Sequence, residues 1–275
     1  MIKNIVPQQD DRLGPRERRF LAGLAGEGKR VFRLDDALPY WPSRHAARRA
    51  LSRLEAKGWL QRLERGLYLI VPLEAGPAGR WSEDPLVIAA QLDPKGAVGY
   101  WSALHYWGMT EQFPRTTFVQ TTRRRHTPRI EILGVRYRFV VVVRRKAFGI
   151  VTRASEGLEF RVTDKEKTLI DACDRPELAG GIPQIVEALR SGVPLEWETV
   201  DDYLARFGSG AVYKRLGFLI ERLDVQVPDS PTRLERWRGA RSQGVAKLDP
   251  GGSDEGRIDT SWSVKVNVRG LEDLA

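Results

Sequence analysis

The chain has 275 residues, of which 41% are hydrophobic and 29% are charged, so it is long enough for two ordinary domains with apolar cores. Its single cysteine, Cys173, excludes an intramolecular disulfide framework and a zinc site built from cysteines, and it suits a reducing cytoplasm. The longest apolar run, at residues 139–143, is far shorter than the ~20 residues of a membrane-spanning helix, and Met1 does not begin a signal-peptide pattern.

The net charge of +9 is concentrated in two parts of the chain. Residues 1–72 carry 15 Lys and Arg against 8 Asp and Glu, and residues 121–146 carry 9 against 1. The remaining residues are mildly acidic. Localised positive charge of this kind is typical of a protein that binds a polyanion, although two solvated surfaces of a basic protein would give the same totals.

The first elements in chain order are helical. A stripe of Phe20, Leu21 and Leu24 predicts a helix that begins at residue 14 or 15. A short strand at residues 31–32 and a short helix at residues 34–38 follow. A long helix is then predicted from Arg44 to about Lys57, because Ser43 is a suitable N-cap and apolar residues recur at helical spacing.

Two short apolar runs, residues 60–63 and 67–70, come directly after the long helix. Glu64, Arg65 and Gly66 join them, which predicts a β-hairpin with glycine at the tight position. The order of helix, short helix, long basic helix and hairpin is typical of a winged helix-turn-helix, and we assign that domain to residues 1–72.

The long helix has a basic outer surface. If Ala47, Leu51 and Leu54 face the core, the opposite side presents arginines suited to guanine edges and phosphates in a major groove. A cationic solvent-exposed surface or a protein contact are the alternatives. The predicted DNA-binding residues are Ser43, Arg44, His45, Arg48, Arg49 and Arg53 on the helix, and Arg62 and Arg65 on the hairpin.

A boundary between domains is predicted at residues 73–82, which are rich in Gly, Pro and Ala. Residues 83–275 are predicted to form a mixed α/β domain with helices packed on a small, largely antiparallel sheet, so the chain as a whole is of the α+β class. The alternating run at residues 262–268 is predicted as a further strand of that sheet, and the Gly- and Asp-rich segment 243–256 is predicted to be mobile.

The second basic block lies within the predicted strands of this domain. We predict that it forms a second basic surface for DNA or for a partner such as a protein or RNA. Its members are Arg123, Arg124, Arg125, Arg129, Arg136, Arg138, Arg144 and Arg145.

The sequence carries no catalytic motif. Phosphate-binding loops, nucleophile elbows and dinucleotide fingerprints are absent, and the three histidines are not at metal-ligand spacing. Asp164, Glu166 and Asp171 are the acidic cluster that would suit a metal, but Asp164 and Glu166 are explained by capping of a helix. We therefore expect no enzyme activity, no cofactor and no metal.

Three stretches of sequence resemble the AbiEi family of antitoxins and transcriptional regulators from prokaryotic AbiE toxin–antitoxin systems. They are RGLYLIVP at residues 65–72, GYWSALHYWGMTEQFP at residues 99–114, and VTDKEKTLID at residues 162–171 with LAGG at residues 178–181. The resemblance extends over residues 15–225, and the second stretch is the most specific.

The resemblance implies an autorepressor that binds inverted repeats in its own promoter and neutralises a nucleotidyltransferase-like toxin. It also implies that the second domain serves neutralisation and that its basic surface assists DNA binding. We expect a monomer or weak dimer that is cooperative on double-stranded DNA. The alternatives are an orphan regulator, a module that neutralises a partner enzyme without acting through DNA, and a nucleic-acid-processing enzyme.

Overall fold

Residues 13–71, 84–132, 134–155, 158–268 and 270 are described by the structure, a computed structural model. The fold is α+β, with three β-sheets among the described residues. The whole predicted linker, residues 73–82, lies outside these ranges.

The first unit, residues 13–71, has the predicted order of elements. Its helices are α1 (Pro15–Gly26), α2 (Leu34–Ala37), which continues into a 3₁₀ turn, and α3 (Arg44–Ala56). Its strands are β1 (Val31–Arg33), β2 (Leu60–Glu64) and β3 (Leu67–Ile70), which form an antiparallel sheet in the order β1-β3-β2. Gly66, at φ +76°, permits the tight turn between β2 and β3.

An aromatic core holds these helices on the small sheet. The rings of Phe20 and Phe32 meet edge to face with centroids 5.2 Å apart, and Phe32 stacks on Tyr68 of β3. Leu51 and Leu54 of α3 are fully buried in the same cluster. The spacing of apolar residues on α3 therefore fixes which of its surfaces meets solvent.

The second unit contains a six-stranded sheet. Its strands are β4 (Ala97–Val98), β5 (Thr116–Thr121), β6 (Arg129–Ile132), β7 (Val135–Val141), β8 (Ile150–Ser155) and β9 (Leu158–Thr163). The order is β6-β7-β5-β4-β9-β8, and the pairs β5–β7 and β4–β9 are parallel while the other three are antiparallel. The predicted small, largely antiparallel sheet is thus larger and more mixed. The chain passes from β5 to the edge strand β6 and then turns back into β7. Strand β7 lies between the other two and is parallel to β5.

Helices cover the two faces of this sheet. Before β4 comes α4 (Pro85–Leu92), and α5 (Tyr100–Tyr106) follows it. After β9 come α6 (Lys165–Asp174), α7 (Ile182–Arg190), α8 (Trp197–Phe207), α9 (Gly210–Arg222) and α10 (Ser230–Gly239). We call the face that packs against α4, and that carries Phe139, the α4 face. The opposite face, where Gln120 of β5 bonds to Asp171 of α6, is the α6 face.

A third, small sheet follows the helices. It consists of β10 (Ala246–Lys247), β11 (Arg257–Asp259) and β12 (Val264–Val266), with β12 in the centre. The prediction that the final apolar run joins the large sheet is therefore wrong, because Val264 and Val266 pair with β10 and β11 instead.

The segment 243–256, for which the composition predicts mobility, makes specific contacts in the structure. Leu248 is fully buried, and the side chain of Asn267 bonds to the backbone of Asp249 at both the amide and the carbonyl. The mobility of this segment stays a prediction.

The two units share a hydrophobic core on the α4 face. Val31, Leu67 and Leu69 of the first unit belong to the same buried cluster as Ile88 of α4 and Phe139 of β7. The backbone N–H of Val31 also donates a 2.7 Å hydrogen bond to the side chain of Gln91 on α4. The sheet of the first unit is therefore fixed against α4, while α3 lies on the far side of that unit.

Candidate nucleic-acid interface

The start of α3 is fixed by a side-chain cap. Ser43 is extended, and its Oγ accepts a 3.1 Å hydrogen bond from the backbone N–H of Ala46. Such a cap satisfies one of the free donors at a helix N-terminus. The first turn of α3 therefore has a defined position.

All eight residues predicted to bind DNA are exposed, which places them on the surface of the first unit. Arg44 Nη1 lies 2.8 Å from Asp35 Oδ1, and Arg53 lies 3.9 Å from Glu17. Within the described part of the chain, Arg48 and Arg49 have no carboxylate at ion-pair distance. An exposed pair such as Arg44–Asp35 contributes at most about 1 kcal/mol, so a phosphate can replace Asp35 at low cost.

The hairpin carries Arg62 on β2 and Arg65 at the turn, both exposed. Glu64 lies between them, so the hairpin also has a negative charge that would repel a phosphate backbone. Arg125 of the second unit neutralises this charge, with its Nη2 2.5 Å from Glu64 Oε1. No local sequence pattern indicates this contact, because the partners are 61 residues apart.

Arg125 is a structural residue as well as a charged one. Its guanidinium lies 3.8 Å from the centre of the Phe139 ring and donates a 3.1 Å hydrogen bond to the carbonyl of Leu92. Only 12% of its side chain is exposed. Arg125 therefore joins the hairpin of the first unit to the loop after β5, and little of it is available to a ligand.

The second basic block does not form one surface. Arg123, Arg124 and Arg125 lie in the loop after β5, where Arg123 and Arg125 contact residues at the end of α4 and on the α4 face. Arg129, Arg136 and Arg138 project from β6 and β7 on the α6 face, in phase with Phe118 of β5. Arg144 and Arg145 stand in a 3₁₀ turn beside α8. The strand arginines share one face, whereas the others lie in a loop and a turn, so residues close in sequence are separated in space.

Arg123 is the other paired member of the loop. Its Nη2 lies 2.5 Å from Oδ1 of Asp93, whose side chain is 1% exposed. Burial raises the pKa of the Asp93 carboxyl, but hydrogen bonds from Thr121 and Arg123 outweigh it, and the net pKa is below the usual value. Arg123 and Arg124 are both exposed.

The acidic residues around α6 are occupied by separate partners. Asp164 caps the helix by accepting from Lys167 N–H at 2.8 Å, and it also accepts from the Tyr203 hydroxyl. Glu166 accepts from the backbone N–H of Glu196. Asp171 is paired with the fully buried ammonium of Lys167 and with Gln120 of β5.

Burial raises the pKa of Asp171 above its usual value. The hydrogen bond from Gln120 joins Asp171 of α6 to β5, and the Lys167–Asp171 pair within α6 neutralises the buried carboxylate. The pair was not among the predicted features. Its i,i+4 spacing was the available signal, but it does not distinguish a buried pair from an exposed one. In the described ranges, His, Cys, Asp and Glu side chains form no group of three suited to a metal, and no helix there is long and apolar enough to cross a membrane.

Comparisons with known proteins show a match to a family model and a similarity to solved structures. Residues 19–71 match the family model of transcriptional regulators described as AbiEi antitoxins, which confirms the family resemblance over α1, α3 and the hairpin. The crystal structure of the RV2827C protein from Mycobacterium tuberculosis has a similar fold, with a TM-score of 0.65 at 16% identity over 94% of each chain. None of the curated proteins compared with the chain matches it.

Proposed function

From the match of residues 19–71 to AbiEi antitoxin regulators, we propose that the chain is a cytoplasmic DNA-binding repressor and the antitoxin of an AbiE-type toxin–antitoxin system. In this proposal it binds inverted repeats in its own promoter as a monomer or weak dimer, and it has no catalytic activity. Its partners are this DNA and a nucleotidyltransferase-like toxin.

The observation that carries the proposal is the outer surface of α3. Arg48 and Arg49 are exposed and make no ion pair with any residue that the structure describes, and they lie close to a capped helix N-terminus. One α-helix fits the major groove, and arginine recognises guanine there through two hydrogen bonds. We interpret α2 and α3 as a helix-turn-helix with α3 as the recognition helix.

The hairpin of β2 and β3 then serves as the wing. Its arginines, Arg62 and Arg65, are exposed beside a Glu64 whose charge is neutralised by Arg125. A wing with a net positive charge suits the DNA backbone or the minor groove. The wing and α3 follow one another directly in the chain, so both can contact the same duplex.

A mobility-shift titration with the promoter DNA upstream of the gene that encodes the chain tests this proposal. We expect Arg48→Ala with Arg49→Ala to lose affinity, by ~1–3 kcal/mol for each arginine that contacts a base. The matched control is Arg222→Ala with Arg257→Ala, which removes two exposed arginines outside both basic blocks. If the α3 double variant binds the promoter as tightly as wild type, α3 is not the recognition helix.

Co-expression with the neighbouring toxin gene tests the antitoxin role. The wild-type chain is expected to relieve growth inhibition by the toxin. If the α3 double variant still relieves it, neutralisation is independent of DNA and the chain acts as an interaction module. If the wild-type chain gives no relief, it does not neutralise this toxin and acts as a regulator alone.

A further inference from the structure

A groove of about 470 Å³ opens at the edge of the six-stranded sheet, on the α6 face. It lies across β6, β7 and β5, and we call it the edge groove. Its lining residues are Thr116, Phe118, Arg129, Ile130, Glu131, Arg136, Tyr137 and Arg138.

Three arginines against one glutamate, Glu131, give the edge groove a net positive charge. In the described part of the chain, no carboxylate lies at ion-pair distance from Arg129, Arg136 or Arg138. Arg138 is half-buried and lies over the Phe118 ring at 5.9 Å. Burial, and then the charge of Arg129, lowers the pKa of Arg138.

Arg129 and Arg138 face each other directly across β6 and β7. The adjacent pair is the hydrogen-bonded one, because Phe139 N–H donates to the carbonyl of Pro128 at 2.8 Å. Arg129 and Arg138 therefore form a non-hydrogen-bonded pair, the class in which Cα atoms approach to about 4.5 Å. Like charges at such positions destabilise a sheet, and an anion between them would remove the repulsion.

The same alternation directs backbone groups of β6 outward. Since residues 128, 130 and 132 bond to β7, the N–H and C=O groups of Arg129 and Glu131 point to the free edge of the sheet. Among the described strands, β6 pairs only with β7. An unpaired strand edge is a template on which an extended peptide can add.

We propose that the edge groove binds an extended acidic segment of a partner protein, which adds as a strand beside β6. Its backbone pairs with the outward groups of Arg129 and Glu131. Its acidic side chains, at every second position, face the three arginines. The inference is independent of DNA binding by α3.

The geometry favours a peptide over a nucleic acid. The first unit packs on the α4 face, so the edge groove lies on the opposite side of the sheet from the unit that carries α3. Phosphates only accept hydrogen bonds, so they cannot pair with the outward carbonyl groups of Arg129 and Glu131. A peptide supplies both donors and acceptors to the edge.

Binding of labelled probes to the full-length chain tests the proposal. The probes are an eight-residue peptide that alternates Glu with Val, its counterpart with Lys for each Glu, and single-stranded dT8. We expect the acidic peptide to bind at least tenfold more tightly than either of the others. We expect Arg129→Ala with Arg138→Ala to weaken it at least tenfold, whereas Arg222→Ala with Arg257→Ala leaves it unchanged.

Two substitutions of Glu131 separate strand addition from simple charge attraction. Glu131→Pro removes an outward N–H but no β6–β7 hydrogen bond, so the sheet tolerates it. We expect Glu131→Pro to lower the affinity for the acidic peptide at least tenfold. The Glu131→Ala variant is expected to bind this peptide as tightly as wild type or more tightly. Thermal unfolding shows that the variants are folded, and promoter binding is expected to be unchanged in both.

Three results would overturn the proposal. The acidic peptide would bind no better than its lysine counterpart, or the two Glu131 variants would bind it equally, or dT8 would be preferred. The last would identify the edge groove as a nucleic-acid site. None of these results bears on the α3 assignment, which is tested by promoter DNA alone.

Discussion

Arg125 donates a 2.5 Å hydrogen bond to Oε1 of Glu64, and this contact joins the second unit to the β2–β3 hairpin of the first. The pair is mostly shielded from solvent on the arginine side. Loss of one partner of a shielded pair costs more than the pair contributes, because the other charge is left uncompensated. The contact thus couples the charge of the hairpin to the second unit.

We predict that Arg125→Ala weakens promoter binding severalfold, because Glu64 then presents a free carboxylate beside Arg65. The double variant Arg125→Ala with Glu64→Ala is expected to recover most of the affinity. Mobility-shift titrations of the four proteins of this cycle provide the measurement. If Arg125→Ala lowers the affinity for promoter DNA equally in the wild-type and the Glu64→Ala proteins, Arg125 itself contacts DNA.

The hairpin arginines are predicted to contact phosphates. Arg65→Ala should weaken promoter and unrelated duplexes alike, and should reduce the magnitude of the slope of log K against log salt by about 0.9. Titrations at several salt concentrations measure this slope. Arg222→Ala is the control, and a slope that Arg65→Ala leaves unaltered would remove Arg65 from the interface.

Leu51 is fully buried between α3 and the small sheet, and Leu51→Ala is predicted to reduce the free energy of unfolding by about 2–5 kcal/mol. Urea unfolding provides the measurement. Ser52→Ala, on the exposed side of the same helix, is expected to change stability by less than about 0.5 kcal/mol. Similar effects of the two would contradict the orientation of α3.

The Asp93–Arg123 contact predicts a pH dependence of stability. The folded-state pKa of Asp93 lies below its ordinary value of 3.8, so its contribution is fully present above that value. It is lost as the pH falls through the folded pKa. Asp93→Asn should therefore lower the Tm at pH 6 and make little difference near pH 2. The exposed Asp202→Asn is the control, and an equal Tm difference at both pH values would contradict the shift.

The helix α3 was predictable because its signals are local. Ser43, the apolar positions and the breaker Gly58 lie within sixteen residues of chain, and they gave an N-terminus at Arg44 and an end within a residue of Ala56. The exposure of Arg48 and Arg49 follows from the same spacing. Capping and amphipathic periodicity need no knowledge of the rest of the chain.

The second basic block was predictable in composition but not in arrangement. Whether Arg125 faces a ligand or Glu64 depends on how the two units pack, and no local pattern encodes that packing. The position of β6 outside β7 likewise results from the sheet order, which decides that Arg129 and Arg138 share a groove.

Val31, Leu67 and Leu69 are buried against α4, so separation of the two units would expose apolar surface on both. Excision of residues 13–71 would therefore yield a fragment with an exposed apolar surface. Such a fragment would tend to self-associate and could not be transferred unchanged to another protein. Exchange of specificity between relatives would succeed by grafting the outer residues of α3 alone.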